Sequence, residues 1–268
     1  MLGYVTTSPI SVAELLGEEA LAKFTALTAV HGDGWGMAWH EDGDGTRCAS
    51  SPDTAALDPT YDELTRCALG AAGLVHLRWA TGGLPVTLEN THPFRNGDYA
   101  FAHNGHVSPI SRLEMLLSDE SRAQLKGDTD SERYFRYVLQ TIAATGSEPE
   151  GIAVALGTLM DEFPESSLNA LMLTPSYLFA VHINTNAPAP TKALRDLFEA
   201  ESEIPARHQT EYFAMDYRVT PDAVHVISSG LDEEGWTPVP EDTAAMVDLE
   251  TRQITRLDPV RRSRHRSG

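Results

Sequence analysis

The order of its elements constrains this chain more than any single motif. Strand patterns crowd both ends of the 268 residues, and helical patterns fill the stretch between them. Toward the N-terminus, Leu2–Thr6 reads as a β-branched and aromatic strand, and Gly36–His40 and Thr46–Ala49 form a hairpin around an Asp/Gly-rich turn. Gly73–Ala80 reads as a buried strand, and Asp98–His103 alternates Tyr99, Phe101 and His103 with small alanines. Val12–Thr28 carries Leu15, Leu16, Leu21, Phe24 and Leu27 at helical intervals behind Ser11, a natural cap. Tyr61–Leu69, Ile110–Leu117 and Ser131–Ala144 are further helices, the last opened by Asp128-Thr129-Asp130. Strands at Ser167–Leu173, Leu178–Ile183, Tyr212–Val219 and Ala223–Ser228 follow. Such an order suits helices packed on two stacked sheets better than a doubly wound parallel sheet.

Charge narrows the partners. Thirty-nine acidic against 20 basic residues leave a formal net charge of −19, which repels nucleic acid and anionic membranes. Ala68–Val75 and Gly151–Met160 are apolar but far too short to span a bilayer. The first residues show no basic region and no apolar run of signal-peptide length. The two cysteines, Cys48 and Cys67, have neither a disulfide nor a metal-ligand spacing. A cytoplasmic protein with reduced thiols is the expectation.

Three segments have compositions that packing alone does not demand. His31-Gly32-Asp33-Gly34-Trp35-Gly36 brings backbone close to a neighbour and is expected to expose Trp35. Val75-His76-Leu77-Arg78-Trp79-Ala80-Thr81 is a buried strand ending in an arginine suited to grip a carboxylate bidentately, or else to form a structural salt bridge. The third joins Asn90-Thr91-His92-Pro93-Phe94 to Phe101-Ala102-His103-Asn104-Gly105-His106. Asn104-Gly105 reads either as a hairpin turn or as an oxyanion hole built from an amide and a backbone N–H. His76, His92, His103 and His106 lack metal-ligand spacing, so a metal site is not expected.

In this order the segments resemble the class II glutamine amidotransferases, a branch of the N-terminal nucleophile hydrolases, and most closely their small stand-alone members. The resemblance rests on His31–Ala38, His76–Gly83, Asn90–Phe94, His103–Gly105 and Asp128–Glu132. It implies an α+β fold, the four-layer αββα sandwich, as one domain over residues 1–255 with a basic, disordered tail at 256–268. It also implies site residues. Arg78 and Thr81 hold a glutamine α-carboxylate, and Asn104 and Gly105 form the oxyanion hole. Asp130, with Asp128 competing, binds the α-ammonium; Trp79, Gly34 and Trp35 complete the substrate set. No cofactor and no metal is implied.

One departure matters. Family members open Met-Cys, and the exposed N-terminal cysteine supplies both the nucleophilic thiol and the basic α-amine. This sequence has Leu2 at that position, and Met1 aligns with the residue after a Met-Cys-Arg opening. Cys48 and Cys67 lie inside the chain and cannot supply a terminal amine. Two expectations follow. Either the nucleophile lies upstream of Met1 and the protein cleaves a γ-glutamyl amide, with ammonia or an amine passing to solvent or to an acceptor protein, or the chain is an inactive binder of glutamine or a γ-glutamyl compound.

Overall fold

The computed structural model describes residues 1–41, 43–80, 83–184, 186–200, 204–231 and 235–261. The early strands are β1 (Leu2–Ile10), β2 (Trp35–Glu41), β3 (Gly45–Ser51), β4 (Gly70–Leu77), β5 (Phe94–Asn96) and β6 (Tyr99–His103). Later come β7 (Ala170–Leu173), β8 (Tyr177–His182), β9 (Asp216–Val219), β10 (Ala223–Ile227), β11 (Thr237–Pro238), β12 (Thr243–Asp248) and β13 (Ile254–Leu257). They form two antiparallel sheets, one ordered β11-β9-β10-β1-β4-β2-β3 and the other β13-β12-β8-β7-β6-β5. Strands far apart in sequence therefore meet in space: β1 lies between β4 and β10 and pairs Leu2 with both Val75 and Ile227.

Period-two alternation decides which side chains go where. On β1, Val5 faces the second sheet and joins Leu74, Val226, Leu171 and Leu178 in the core between the sheets. Leu2 and Tyr4 point the other way, into a core with Phe24, Leu21, Trp35 and Tyr61. That outer layer is built by α1 (Val12–Leu16), α2 (Glu18–Ala26) and α3 (Pro59–Cys67). On the far side, Phe101, Met172, Phe179 and Val181 pack against Tyr134, Phe135, Val138, Leu156 and Leu159. Those belong to α6 (Asp130–Thr145) and α7 (Glu148–Glu162), which follow the short α4 (Ile110–Glu114) and α5 (Asp119–Ala123). Helices, sheet, sheet, helices: the fold is the four-layer αββα sandwich.

The structure alters some of these expectations and adds detail to others. The single helix expected over Val12–Thr28 is broken at Gly17, whose φ of 79° interrupts the α backbone between α1 and α2. Asn104-Gly105 is not a hairpin turn, since β6 pairs with β5 and β7 on its two sides. The apolar stretch at Gly151–Met160 is a full helix, α7, whose Gly151 lets the two outer helices approach closely. At the C-terminal end, β13 runs through Leu257 and the Val260 N–H donates to the Ala153 carbonyl at 2.9 Å, two residues past the expected domain boundary and beyond. Residues 262–268 lie outside the described residues.

Candidate active site

A cavity of about 790 Å³ opens where the ends of β4, β6 and β10 and the start of β1 converge on the first turn of α6. Strand ends and a helix start leave backbone polar groups without ladder partners, which is why such junctions hold ligands. Arg78, Trp79, Asn104, Gly105 and Asp130 all line it; Asp128 does not, and is exposed.

Arg78 directly follows β4. Its backbone is clamped by the glycine-rich run, with Arg78 N–H donating to the Gly34 carbonyl at 2.8 Å and Asp33 N–H to the Arg78 carbonyl at 2.9 Å. The Asp33 carboxylate accepts the Ala80 N–H at 2.7 Å and fixes the next turn. The guanidinium is buried, yet its protein partners are two carbonyls, Asp33 O at 3.3 Å and Pro85 O at 3.4 Å. Among the described residues no carboxylate forms an ion pair with it. Burial lowers its affinity for the proton, partly offset by Asp33, but a guanidinium stays charged. A buried cation that faces a cavity and forms no ion pair among the described residues is suited to an anionic ligand.

Asp130 occupies the first turn of α6, where the helix dipole favours a carboxylate. It is buried, accepts the Val107 N–H at 2.6 Å and has the exposed His106 ring 3.6 Å away. The Asn104 backbone is pinned to the neighbouring β7 segment: its N–H donates to the Asn169 carbonyl at 2.8 Å, and its carbonyl accepts the Ser167 hydroxyl at 3.2 Å. The side-chain amide forms no hydrogen bond among the described residues. Gly105 passes so close to this segment that a Cβ would lie 2.3 Å from the Ser167 carbonyl. His103 braces the same turn. One ring nitrogen must donate to the Ser167 carbonyl at 2.8 Å, so the other accepts the Ser131 hydroxyl at 2.9 Å, and burial keeps the ring neutral.

Two expectations are corrected. Trp35 is not exposed and does not line the cavity; it is 1% accessible, packs edge-on against Tyr61 and donates to Asp58 at 2.8 Å. Gly34 also lies outside the lining, and its need for glycine is structural: φ is 129° and a Cβ would meet the Ser51 carbonyl at 2.8 Å. Thr81 falls outside the described residues. Sequence reasoning missed the bracing roles of Asp33, Ser131 and Ser167, and the second wall. There His31 lines the cavity and meets His208 behind it, Nε2 to Nε2 at 3.0 Å, with the Trp79 ring edge-on to His31 and the Tyr212 ring edge-on to His208. Cys48 is partly buried on β3, its thiol pushed up to about 11 by burial, and Cys67 is exposed on α3; neither lines the cavity.

The first residue of β1's lead-in also reaches the cavity. The Met1 α-amine donates to the Ser228 hydroxyl at 2.8 Å, and burial lowers its pKa to about 5. The His76 and His92 rings lie nearby, tilted at 43° to each other with centroids 4.4 Å apart. Burial first, then neighbouring positive groups, holds His31, His76 and His92 well below the ordinary value of 6.5. The consequence for stability has a definite sign. Below pH 6.5 the unfolded chain binds protons at these rings while the native state does not, so stability falls as pH falls. Each ring contributes up to about 1.4 kcal/mol per pH unit through that window. Thermal melts at constant ionic strength should hold Tm nearly constant down to about pH 7 and then lose it progressively as pH falls through 6.5 to 5.5; a flat profile would mean the rings protonate in the native state.

The chain is a member of the class II glutamine amidotransferases, whose family model matches residues 5–194. Among curated relatives, the glutamine–fructose-6-phosphate aminotransferase of Zymomonas mobilis is 29% identical over 116 residues, 40% of this chain and 19% of that protein. An uncharacterized protein of Methanocaldococcus jannaschii is 30% identical over 171 residues, 61% of this chain and 46% of that protein. The chain thus spans a fifth or less of the aminotransferases it matches. The fold is shared with a class II glutamine aminotransferase domain protein from Silicibacter pomeroyi, at TM-score 0.65 and 20% identity, covering 96% of this chain and 99% of that one. Glutamine phosphoribosylpyrophosphate amidotransferase from Bacillus subtilis aligns at TM-score 0.62 and 17% identity, covering 96% and 49%.

Proposed function

We propose that this chain hydrolyses a γ-glutamyl amide, either glutamine or a γ-glutamyl metabolite, through a thioester on an N-terminal cysteine that precedes Met1 in a Met-Cys-Arg opening. The observation that carries the reading is the buried Arg78 guanidinium, which forms no ion pair among the described residues, in the cavity that also holds Asp130 and the Asn104-Gly105 turn. Arg78 takes the substrate α-carboxylate and Asp130 its α-ammonium, which directs the γ-amide toward the start of β1. Relatives named for glutamine support glutamine as the donor.

The steps balance. The free α-amine of the cysteine accepts the thiol proton, and the thiolate attacks the amide carbonyl. Negative charge moves to the oxygen, where the Asn104 amide and the Gly105 N–H receive it. Collapse breaks the C–N bond, and the departing amine takes the proton held on the α-amine. Water then attacks the thioester and frees glutamate and the thiol. The released ammonia or amine passes to solvent or to an acceptor protein.

The test is a chain extended by Met-Cys-Arg, with the methionine removed. It should release ammonia or an amine from γ-glutamyl amides, lose that activity on thiol alkylation and ignore chelators. An extended chain that binds glutamine but never turns over would make the protein a binding module. Activity abolished by chelators and restored by zinc would make it a metal hydrolase.

A further inference from the structure

We propose that Asn90 is a positioning residue that sets the separation between the two groups reading the amino-acid end of the ligand; this rests on the assignment of Arg78 to the α-carboxylate and Asp130 to the α-ammonium. Those ligand groups share one carbon, so their anchors must be held at a fixed spacing. Yet Arg78 follows a strand and Asp130 starts a helix, and no hydrogen bond joins them directly among the described residues.

Asn90 spans the gap. It is 1% accessible and sits at the end of a short turn, Leu88–Asn90. Its Nδ2 donates at 3.2 Å to the Pro85 carbonyl, the same oxygen that accepts Arg78 Nη2 at 3.4 Å. Its Oδ1 accepts the Asp128 N–H at 2.8 Å, two residues ahead of Asp130. One side uses a donor and the other an acceptor, so only an uncharged amide satisfies both partners. The seat is tight as well. A Cβ on Gly127 would lie 2.3 Å from Asn90 Oδ1 and 2.7 Å from the Glu89 carbonyl. The carboxylate end and the ammonium end of the site are thus tied through one buried side chain, with Pro85 and Asp128 as its attachment points.

Asn90→Asp keeps the size and the acceptor but sets an oxygen against the Pro85 carbonyl. Gly127→Ala pushes on the same amide from the helix side. Both variants of the full chain are titrated by ligand-observed NMR with L-glutamine, with glutaramate, which lacks the α-ammonium, and with 4-aminobutanamide, which lacks the α-carboxylate. If Asn90 sets the spacing, glutamine weakens about tenfold, the loss of roughly one hydrogen-bond-sized term. Each single-anchor analogue, free to follow its own half of the site, should change by less than about threefold. Unchanged glutamine affinity overturns the proposal. So does an equal loss for all three ligands with a lowered Tm, which marks Asn90 as a residue of the general fold. Arg78→Ala and Asp130→Asn run in parallel: if they also leave glutamine binding unchanged, the reading of the pocket itself falls, and this proposal with it.

Discussion

Arg78→Ala should weaken glutamine binding by one to a few powers of ten in the chain as it stands. The guanidinium is buried and, among the described residues, paired only with the Asp33 and Pro85 carbonyls, so a ligand carboxylate would be its counter-charge. Removing one partner of a desolvated, hydrogen-bonded pair costs about 2–5 kcal/mol, and about 1.4 kcal/mol corresponds to a tenfold change. Isothermal titration of parent and variant measures the difference directly. Stability should move the opposite way or hardly at all, because alanine removes a buried charge that forms no ion pair among the described residues. A variant that binds glutamine like the parent, with a lowered Tm, would return Arg78 to a structural role.

The contrast between Arg78 and Trp35 shows what the sequence can and cannot convey. Both sit in short runs of glycine, charge and aromatic residues, and both read as site candidates. Arg78's place beside the cavity was legible because a charged side chain directly after a buried strand has few uses other than a ligand or an ion pair. Trp35 was not, since the glycines around it serve the backbone: the run exists to clamp the Arg78 segment, through Gly34 and Asp33, while the indole fills the core beneath α3. Helices on two stacked sheets were readable from element order, and the four layers followed from the family resemblance; that Val5 faces inward and Tyr4 outward on β1 appears only in the fold. The closing strands β12 and β13 were not, because Thr243–Asp248 and Ile254–Leu257 are only partly buried and carry weak patterns. Asn90 lies within a motif, yet nothing in its sequence neighbourhood points to a role for it. Its partners lie at Pro85 and Asp128, and the tie between them exists only once the chain has folded.

Asn104→Ala should separate chemistry from binding. The Asn104 backbone is held at both ends by the Ser167 and Asn169 segment, and Gly105 leaves no room for a side chain there. Truncating the amide therefore leaves the turn in place and removes one donor alone. On the proposed mechanism that donor meets full negative charge only when the amide carbonyl becomes tetrahedral. In the ground state it faces a neutral carbonyl, a far weaker acceptor for it. In a chain extended by Met-Cys-Arg, the variant should lose about a hundredfold or more in kcat with KM almost unchanged, the signature of an interaction made in the transition state. Without the cysteine, the same substitution should leave glutamine affinity nearly untouched while Arg78→Ala still lowers it by one to a few powers of ten. The two variants thus fail differently in the two forms of the chain. If Asn104→Ala instead raises KM or Kd in proportion to its loss of rate, the amide holds the ground-state substrate, and the oxyanion must be stabilised by other groups in the cavity.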